Sequence, residues 1–133
     1  MLIKNLTKNI TISYNAKLCE DNFSKFIGLM LSKQAKIDKR FLVPRNSKEF
    51  LGKQSRALIF KFKRDKIISL HMFFVFYPID VLFLDKNKIV VDTKENFKPF
   101  TFYKSKKKAM YAIELSAGTV RKSKTSIGNK IRF

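Results

Sequence analysis

The feature that most constrains the fold is an apolar run of 18 residues, from Ile67 to Leu84, that contains no Lys or Arg. A run of this length could form one membrane-spanning helix. However, Asp80 would cost about 2.5–3.5 kcal/mol at the centre of such a helix. The run is also rich in aromatic and β-branched residues and is interrupted by Pro78. This composition favours two buried strands and no membrane span.

We place these two strands at residues 67–76 and 79–84. The second strand has apolar side chains on both faces, which is typical of a central strand. Asp80 therefore lies on a covered face, where its carboxylate needs a partner. Either it accepts hydrogen bonds from the turn at 77–78 or pairs with a basic residue, or it lines a pocket. Residues 85–88 predict a hairpin turn, with Asn87 in the left-handed region.

The remaining chain predicts more strands and one helix. Phe23, Phe26, Ile27 and Met30 recur at helical spacing, so residues 22–31 should form an amphipathic helix after Asp21. Alternating residues predict further strands at 10–14, about 17–19, 56–62, 89–92, 110–115 and 130–133. We also expect a charged turn at 63–66 and a helical turn at 117–121. The expected fold is α+β, mainly β: one compact antiparallel barrel-like domain over residues 1–133, with one amphipathic helix packed on the sheet.

Several short motifs occur in order along nearly the whole chain. They are Gly-Leu-Met at 28–30, His-Met-Phe-Phe-Val-Phe-Tyr-Pro-Ile-Asp-Val-Leu-Phe-Leu-Asp at 71–85, Lys-Pro-Phe at 98–100 with Tyr103, Tyr-Ala-Ile-Glu-Leu at 111–115, Ala-Gly-Thr at 117–119 and Ile-Gly-Asn-Lys at 127–130. Together these motifs resemble the domain-of-unknown-function family 192, in its archaeal branch. The resemblance implies a compact β-rich domain with one main helix and no assigned activity. The chain departs from the family pattern at residues 71–75, at Ser116 and at Asn129.

The formal net charge of +19 is concentrated in two blocks. Residues 32–66 hold twelve Lys and Arg against three acidic residues, and residues 98–133 hold ten against one. Such a balance favours an anionic ligand or nucleic acid as partner. The alternative is that these lysines only keep the surface solvated.

The cysteine count and the motifs of the chain bear on whether it forms a disulfide or binds a metal or a cofactor. Cys19 is the only cysteine, so an internal disulfide is impossible. We find no metal-ligand spacing and no Gly-rich phosphate loop, and we therefore expect no metal and no cofactor. The first residues lack the pattern of a signal peptide, which predicts a cytoplasmic protein.

We favour a ligand-binding or interaction module with a basic surface and a pocket near residues 71–80. The predicted binding residues are His71, Asp80, Arg56, Tyr103, Lys106, Lys107 and Lys108.

Two other functions stay open. The chain could bind nucleic acid through the basic and aromatic residues at 98–108, by base stacking and phosphate contact. It could also be a small enzyme in which His71 acts with Asp80 or Glu114 as acid or base. Because a lone histidine among apolar residues is usually structural, we favour binding over catalysis.

Overall fold

The computed structural model describes residues 1–19, 56–71 and 78–133. The predicted helix at 22–31 and the basic segment at 32–55 lie outside the described residues. The side chains of Arg56 and His71 also lie outside the described part. What is described is a mainly β structure with one short helix, which confirms the predicted class.

Ten strands and the short helix follow one another along the described chain. They are β1 (Ile3–Asn5), β2 (Ile10–Ser13), β3 (Asn15–Cys19), β4 (Arg56–Lys66), β5 (Ser69–His71), β6 (Ile79–Leu84), β7 (Val90–Phe97), β8 (Phe102–Lys104), β9 (Ala109–Ser116), α1 (Thr119–Lys122) and β10 (Ile131–Arg132). The strands form three sheets, in the orders β10-β1-β2, β3-β4-β9-β6-β7 and β5-β8. They do not join into one closed barrel within this part of the chain.

The prediction of a central strand at 79–84 is confirmed. Strand β6 pairs with β7 on one side and with β9 on the other, and all six of its residues are buried. Neither face of the strand meets water, because each face of the five-stranded sheet packs on another layer. This explains why the segment reads as a nearly continuous apolar run.

On one face, the five-stranded sheet packs against the three-stranded sheet and α1. Ile59, Leu82 and Ile113 of the large sheet lie in one core with Ile3 of β1 and Val120 of α1. On the other face, Phe60, Phe83 and Ala112 lie in a second core with Ile68 and Leu70, in and just before β5. The five-stranded sheet is thus the middle layer of the described structure.

One strand pair is parallel, in contrast to the expected antiparallel sheet. Strand β3 runs parallel to β4, with Ala16 opposite Ala57 and Cys19 opposite Phe60. The other strand pairs in the described part are antiparallel. A parallel pair needs a long crossover, and residues 20–55 are long enough to supply it.

The hairpin at 85–88 is confirmed, with one correction. The Asp85 carboxylate accepts hydrogen bonds from the backbone N–H groups of Asn87 (2.8 Å) and Ile89 (3.0 Å). Lys88, and not Asn87, adopts the left-handed conformation, with φ of 61°. The prediction for Asn87 was wrong because side-chain preference alone does not fix which residue of a turn becomes left-handed. The Lys88 ammonium lies 4.0 Å from the centre of the Phe133 ring and donates to the Phe133 carbonyl.

The predicted strand bounds need correction at the start of the central apolar run. Strand β4 continues to Lys66, through the residues that we expected to form a charged turn. Strand β5 begins at Ser69 and not at Ile67. Charged residues in an exposed strand carry no apolar alternation, so the pattern could not mark this part of β4 as a strand.

Strand β1 was not predicted, and a buried polar network holds it in place. The Asn5 side-chain amide donates to Thr125 Oγ1 (3.1 Å) and to Asn129 Oδ1 (2.9 Å). Asn129 Oδ1 also accepts from the Ser126 N–H. These bonds join β1 to the loop that precedes β10, so the three-stranded sheet is held by side chains as well as by its backbone ladder.

Candidate functional site

The two-stranded sheet of β5 and β8, which we call the β5–β8 ribbon, has an inner side that faces the second core and an outer side that faces away from it. An exposed aromatic ring lies on the outer side. The register of the ribbon places Leu70 opposite Tyr103 and His71 opposite Phe102. Leu70 and Tyr103 pack towards the second core. Since successive side chains of a strand alternate, Phe102 and Lys104 face the other way. Both are exposed, and Phe102 is 77% exposed.

Tyr103 anchors the inner side of the ribbon to the five-stranded sheet. Its hydroxyl donates a 2.7 Å hydrogen bond to Asp92 Oδ2 on β7, and Asp92 is buried. The ring of Tyr103 packs beside the rings of Phe83 and Phe97. Burial, followed by the hydrogen bond and the negative charge of Asp92, raises the pKa of Tyr103 to about 12. Tyr103 therefore keeps its proton and its bond to Asp92 at neutral pH.

The loop after β8 is held by its own backbone and by Ser105. The Ser105 N–H donates to the Ile68 carbonyl (2.8 Å), and Ser105 Oγ accepts from the Ile68 N–H (2.9 Å). The Lys106 N–H donates to Asp92 Oδ2 at 2.9 Å, the same oxygen that binds Tyr103. Ser105 is buried, whereas Lys104 and the three lysines at 106–108 are exposed. The end of β8 and this loop thus present four lysines from a fixed backbone.

The end of β4 brings a second group of basic residues beside this loop. Lys61 pairs with Tyr111 and Lys66 pairs with Ala109, so the four residues 62–65 lie opposite Met110 alone. Within this irregularity Phe62 is buried, whereas residues 63–65 are exposed. We call the exposed basic residues of the two segments the basic ridge: Lys63, Arg64, Lys66, Lys104, Lys106, Lys107 and Lys108. Asp65 is the one acidic residue within 63–66 and 104–108.

Sequence reasoning named three of the seven ridge residues as binding residues. The lysines at 106–108 were predicted binding residues and belong to the ridge, whereas Tyr103, also a predicted binding residue, faces the second core. The contribution of Lys63, Arg64 and Lys66 was missed, because it depends on the pairing of Lys66 with Ala109. Their membership of the dense basic block at 32–66 was the only available signal.

Asp80 lies on the opposite side of the five-stranded sheet, and its carboxylate binds two backbone amides. Oδ1 accepts from the Asn96 N–H at 2.9 Å, and Oδ2 accepts from the Val120 N–H at 3.0 Å. Asp80 is 0% exposed. Two amide donors compensate for the burial of a carboxylate. In this arrangement Asp80 ties β7 and α1 to β6.

Glu114 is a half-buried carboxyl group on the side of the second core. It lies on β9, opposite Leu58 of β4 and Val81 of β6. Burial raises the pKa of Glu114 to about 7. In the described ranges, no hydrogen bond or ion pair to its carboxyl group is found. Glu114 is therefore a group that can take up or release a proton near neutral pH.

Cys19 lies near Glu114, at the end of β3. Burial raises the pKa of the Cys19 thiol, Lys17 lowers it and Glu114 raises it further. Cys19 is half-buried and packs against the second core. A thiol with a raised pKa is a weak nucleophile at neutral pH. Among residues 1–19, 56–71 and 78–133, no three His, Cys, Asp or Glu side chains gather to hold a metal ion.

Arg56 and His71, two of the predicted binding residues, lie at the ends of strands. Arg56 opens β4 opposite Asn15, and His71 closes β5 opposite Phe102. Their backbones are described, and their side chains lie outside the described part. No helix in the described ranges combines the length and the apolar character needed to cross a membrane.

Comparisons with solved structures agree on this fold. A crystal structure from Sinorhizobium meliloti, described as that of a candidate transcription regulator, superposes with a TM-score of 0.69. It shares 20% identity, and the match covers 98% of this chain and 89% of that one. A protein of unknown function from Novosphingobium aromaticivorans gives a TM-score of 0.70 at 14% identity, covering 99% and 82%. At these identities the likeness concerns the fold.

Sequence comparisons point to archaeal relatives. A UPF0127 protein of Thermococcus sibiricus is 32% identical over 131 residues, which are 98% of this chain and 73% of that protein. A UPF0127 protein of Pyrococcus horikoshii is 31% identical over 134 residues, covering 99% of this chain and 98% of that one. The model of the DUF192 family, described as an uncharacterized ACR, matches residues 4–133. The chain therefore belongs to the DUF192 family, whose function is uncharacterised.

Proposed function

We propose that the protein binds nucleic acid through the basic ridge. The observation that carries this proposal is the joining of two basic segments, distant in sequence, by the pairing of Lys66 with Ala109. Seven exposed cations lie in these segments beside one carboxylate, Asp65. Such a surface attracts a polymer of phosphates more strongly than a single small anion, because each phosphate contact releases counterions.

The anchoring of the loop supports binding over simple solvation. Ser105 and the Lys106 N–H fix the backbone from which the lysines project. A ligand that contacts these lysines therefore needs to order their side chains and not the loop itself, which lowers the entropy lost on binding. Lysines that serve only solubility need no such fixed backbone.

The sequence analysis favoured a ligand-binding pocket near residues 71–80, and fewer of the described residues support that pocket than support the ridge. Residues 72–77 and the His71 side chain lie outside the described part. Asp80, the other residue expected there, already accepts two backbone hydrogen bonds. The ridge, in contrast, is described in full. We therefore base the proposal on the ridge and keep a cytoplasmic, single-domain protein as part of it.

Binding should be tested by fluorescence anisotropy with labelled RNA, single-stranded DNA and duplex DNA, at about 50 mM and about 200 mM salt. The description of the S. meliloti structure as a candidate transcription regulator is a reason to include duplex DNA. We expect binding that weakens with salt. A variant with Lys106→Gln, Lys107→Gln and Lys108→Gln should reduce the slope of log K against log[salt] by about 2–3 units.

The matched control removes three exposed lysines elsewhere, by Lys8→Gln, Lys86→Gln and Lys122→Gln. It has the same net charge as the ridge variant, so it separates position from overall charge. The control should bind nearly as well as the parent. Equal losses in both variants, or no loss in either, would overturn the proposal.

A further inference from the structure

We infer that the ligand of the basic ridge is a single-stranded nucleic acid, and that the exposed ring of Phe102 stacks on an unpaired base. This inference rests on the proposed function and specifies its ligand. It comes from the outer side of the β5–β8 ribbon, which the ridge adjoins at Lys104.

The position of Phe102 places a flat aromatic surface next to a cation. Phe102 and Lys104 are two residues apart on β8, so they lie on one side of the strand, about 6.6 Å apart along it. The ring of Phe102 is 77% exposed, although a phenylalanine usually gains stability by burial. The neighbouring Tyr103 instead uses its inner position to anchor the ribbon.

A second aromatic residue is presented just before β8. Phe100 is 57% exposed and has a φ of 61°, in the left-handed region that bulky residues rarely adopt. The Thr101 hydroxyl closes this turn by donating to the Lys98 carbonyl at 2.6 Å. Strained backbone persists where the surrounding structure holds it, and it is frequent at binding sites. The turn therefore supplies another ring near the ribbon, beside the exposed Lys98.

The chemistry of this surface fits single strands better than duplexes. The faces of the bases in a duplex are covered by their neighbours, whereas an unpaired base can stack on an aromatic side chain. Lysines beside the rings can contact the phosphates that flank a stacked base. Residues 97–108 contain five lysines and no acidic residue, so nothing in this segment repels the phosphate chain. A protein partner that bound the aromatic rings through an apolar surface would not require lysines alone, without acidic residues, around those rings.

The test compares a labelled oligo(dT) strand with a blunt duplex that has the same number of phosphates. Replacing Phe102→Ala should weaken binding of the single strand by about 5- to 150-fold, the range measured for loss of one stacked base. The same variant should change duplex binding by less than about 2-fold, because duplex contacts are to phosphates. Phe102→Tyr keeps a ring and should retain single-strand affinity.

Tyr14→Ala provides the matched control, since Tyr14 is a 62% exposed aromatic residue between β2 and β3 and is not part of the ridge. It should bind the single strand like the parent. Thermal unfolding of each variant checks that the exposed substitutions leave the fold intact.

The outcomes separate this inference from the proposed function. If Phe102→Ala binds the single strand as the parent does, or if the duplex binds as tightly as the strand, the inference is overturned while the ridge remains a nucleic-acid site. If neither nucleic acid binds at low salt, the proposed function itself is overturned, and the inference falls with it.

Discussion

Asp80 and Glu114 lie on adjacent strands, but their carboxyl groups are on opposite faces of the sheet. Asp80 pairs with Leu115, whereas Glu114 pairs with Val81, so the two residues are offset by one position in the strand register. Residues opposite each other share a face, and a shift of one residue reverses it. The two carboxyl groups therefore belong to different environments: Asp80 binds two backbone amides, and Glu114 has no such donors among the described residues.

We predict that ionisation of Glu114 destabilises the fold. Its pKa is raised from 4.5 to about 7 in the folded protein. Below about pH 4.5 the carboxyl group is protonated in both states and contributes nothing. As the pH rises towards 7, the unfolded chain loses a proton that the folded chain keeps, so the free energy of unfolding falls by up to about 3 kcal/mol.

Glu114→Gln should remove this loss, because the amide resembles the protonated carboxyl group. Urea unfolding at pH 4 and pH 8 should give similar stabilities for variant and parent at pH 4 and a more stable variant at pH 8. Glu95→Gln, at an exposed position on β7, is the control and should show no such pH-dependent gain. A constant difference between Glu114→Gln and parent across this range would contradict the prediction.

Replacing Asp80 should destabilise the fold without affecting nucleic-acid binding. Asp80→Ala leaves the N–H group of Asn96 and the buried N–H group of Val120 without their acceptor, at a cost of about 2–5 kcal/mol. Asp80→Asn keeps one acceptor oxygen and should lose less. Urea unfolding measures the loss, and anisotropy below the unfolding transition measures binding. A folded Asp80→Asn variant with weakened binding would instead place Asp80 in a ligand site.

Gly118 should act together with Asp80 in positioning α1. Gly118 precedes the helix with a φ of 88°, and a side chain there would meet no atom within 4 Å. Gly118→Ala should therefore cost about 1–2 kcal/mol through backbone conformation alone. If this conformation directs the Val120 N–H towards Asp80, a double-mutant cycle with Asp80→Asn should give a coupling energy above about 0.5 kcal/mol. Simple additivity would show that the two effects are independent.

The bond between Tyr103 and Asp92 should determine how firmly the lysine loop is held. Tyr103→Phe removes a hydrogen bond to a buried carboxylate and should cost about 1.5–3 kcal/mol. Asp92→Ala removes the acceptor of both Tyr103 and the Lys106 N–H and should cost more. Limited trypsin digestion should cut faster after the lysines at 104–108 in both variants. An unchanged cutting pattern would show that Ser105 alone holds the loop.

Much of the sheet could be predicted from periodicity. The segments at 79–84 and 110–115 are nearly continuous in apolar residues because both faces of β6 and β9 are covered, and both were found. The turn at 85–88 was found because Asp85 accepts hydrogen bonds from residues two and four positions ahead, a local pattern. Local signals of these kinds were sufficient for these two strands and this turn.

Long-range hydrogen bonds could not be predicted in the same way. The donors to Asp80 are backbone N–H groups 16 and 40 residues away, and any residue type supplies such a group. The partner of Tyr103 is Asp92, which nothing in its own strand marks as a partner for a phenol. The ridge likewise depends on the pairing of Lys66 with Ala109, 43 positions apart. Composition indicated that a basic surface exists, and only the fold could show where its two halves meet.

The pairing of β1 with β10 has a consequence for how the chain reaches this structure. Lys4 lies opposite Arg132, and Asn5 bonds to Asn129, so one sheet joins residues more than 120 positions apart. During synthesis on the ribosome, Ile3 and Ile12 are made long before Ile131, with which they share a core. Closing so long a loop is slow, because its entropy is lost before the contacts form. We expect this sheet to be the last to form. Until it forms, we expect β1 and β2 of the nascent chain to be bound by chaperones that recognise exposed aliphatic segments.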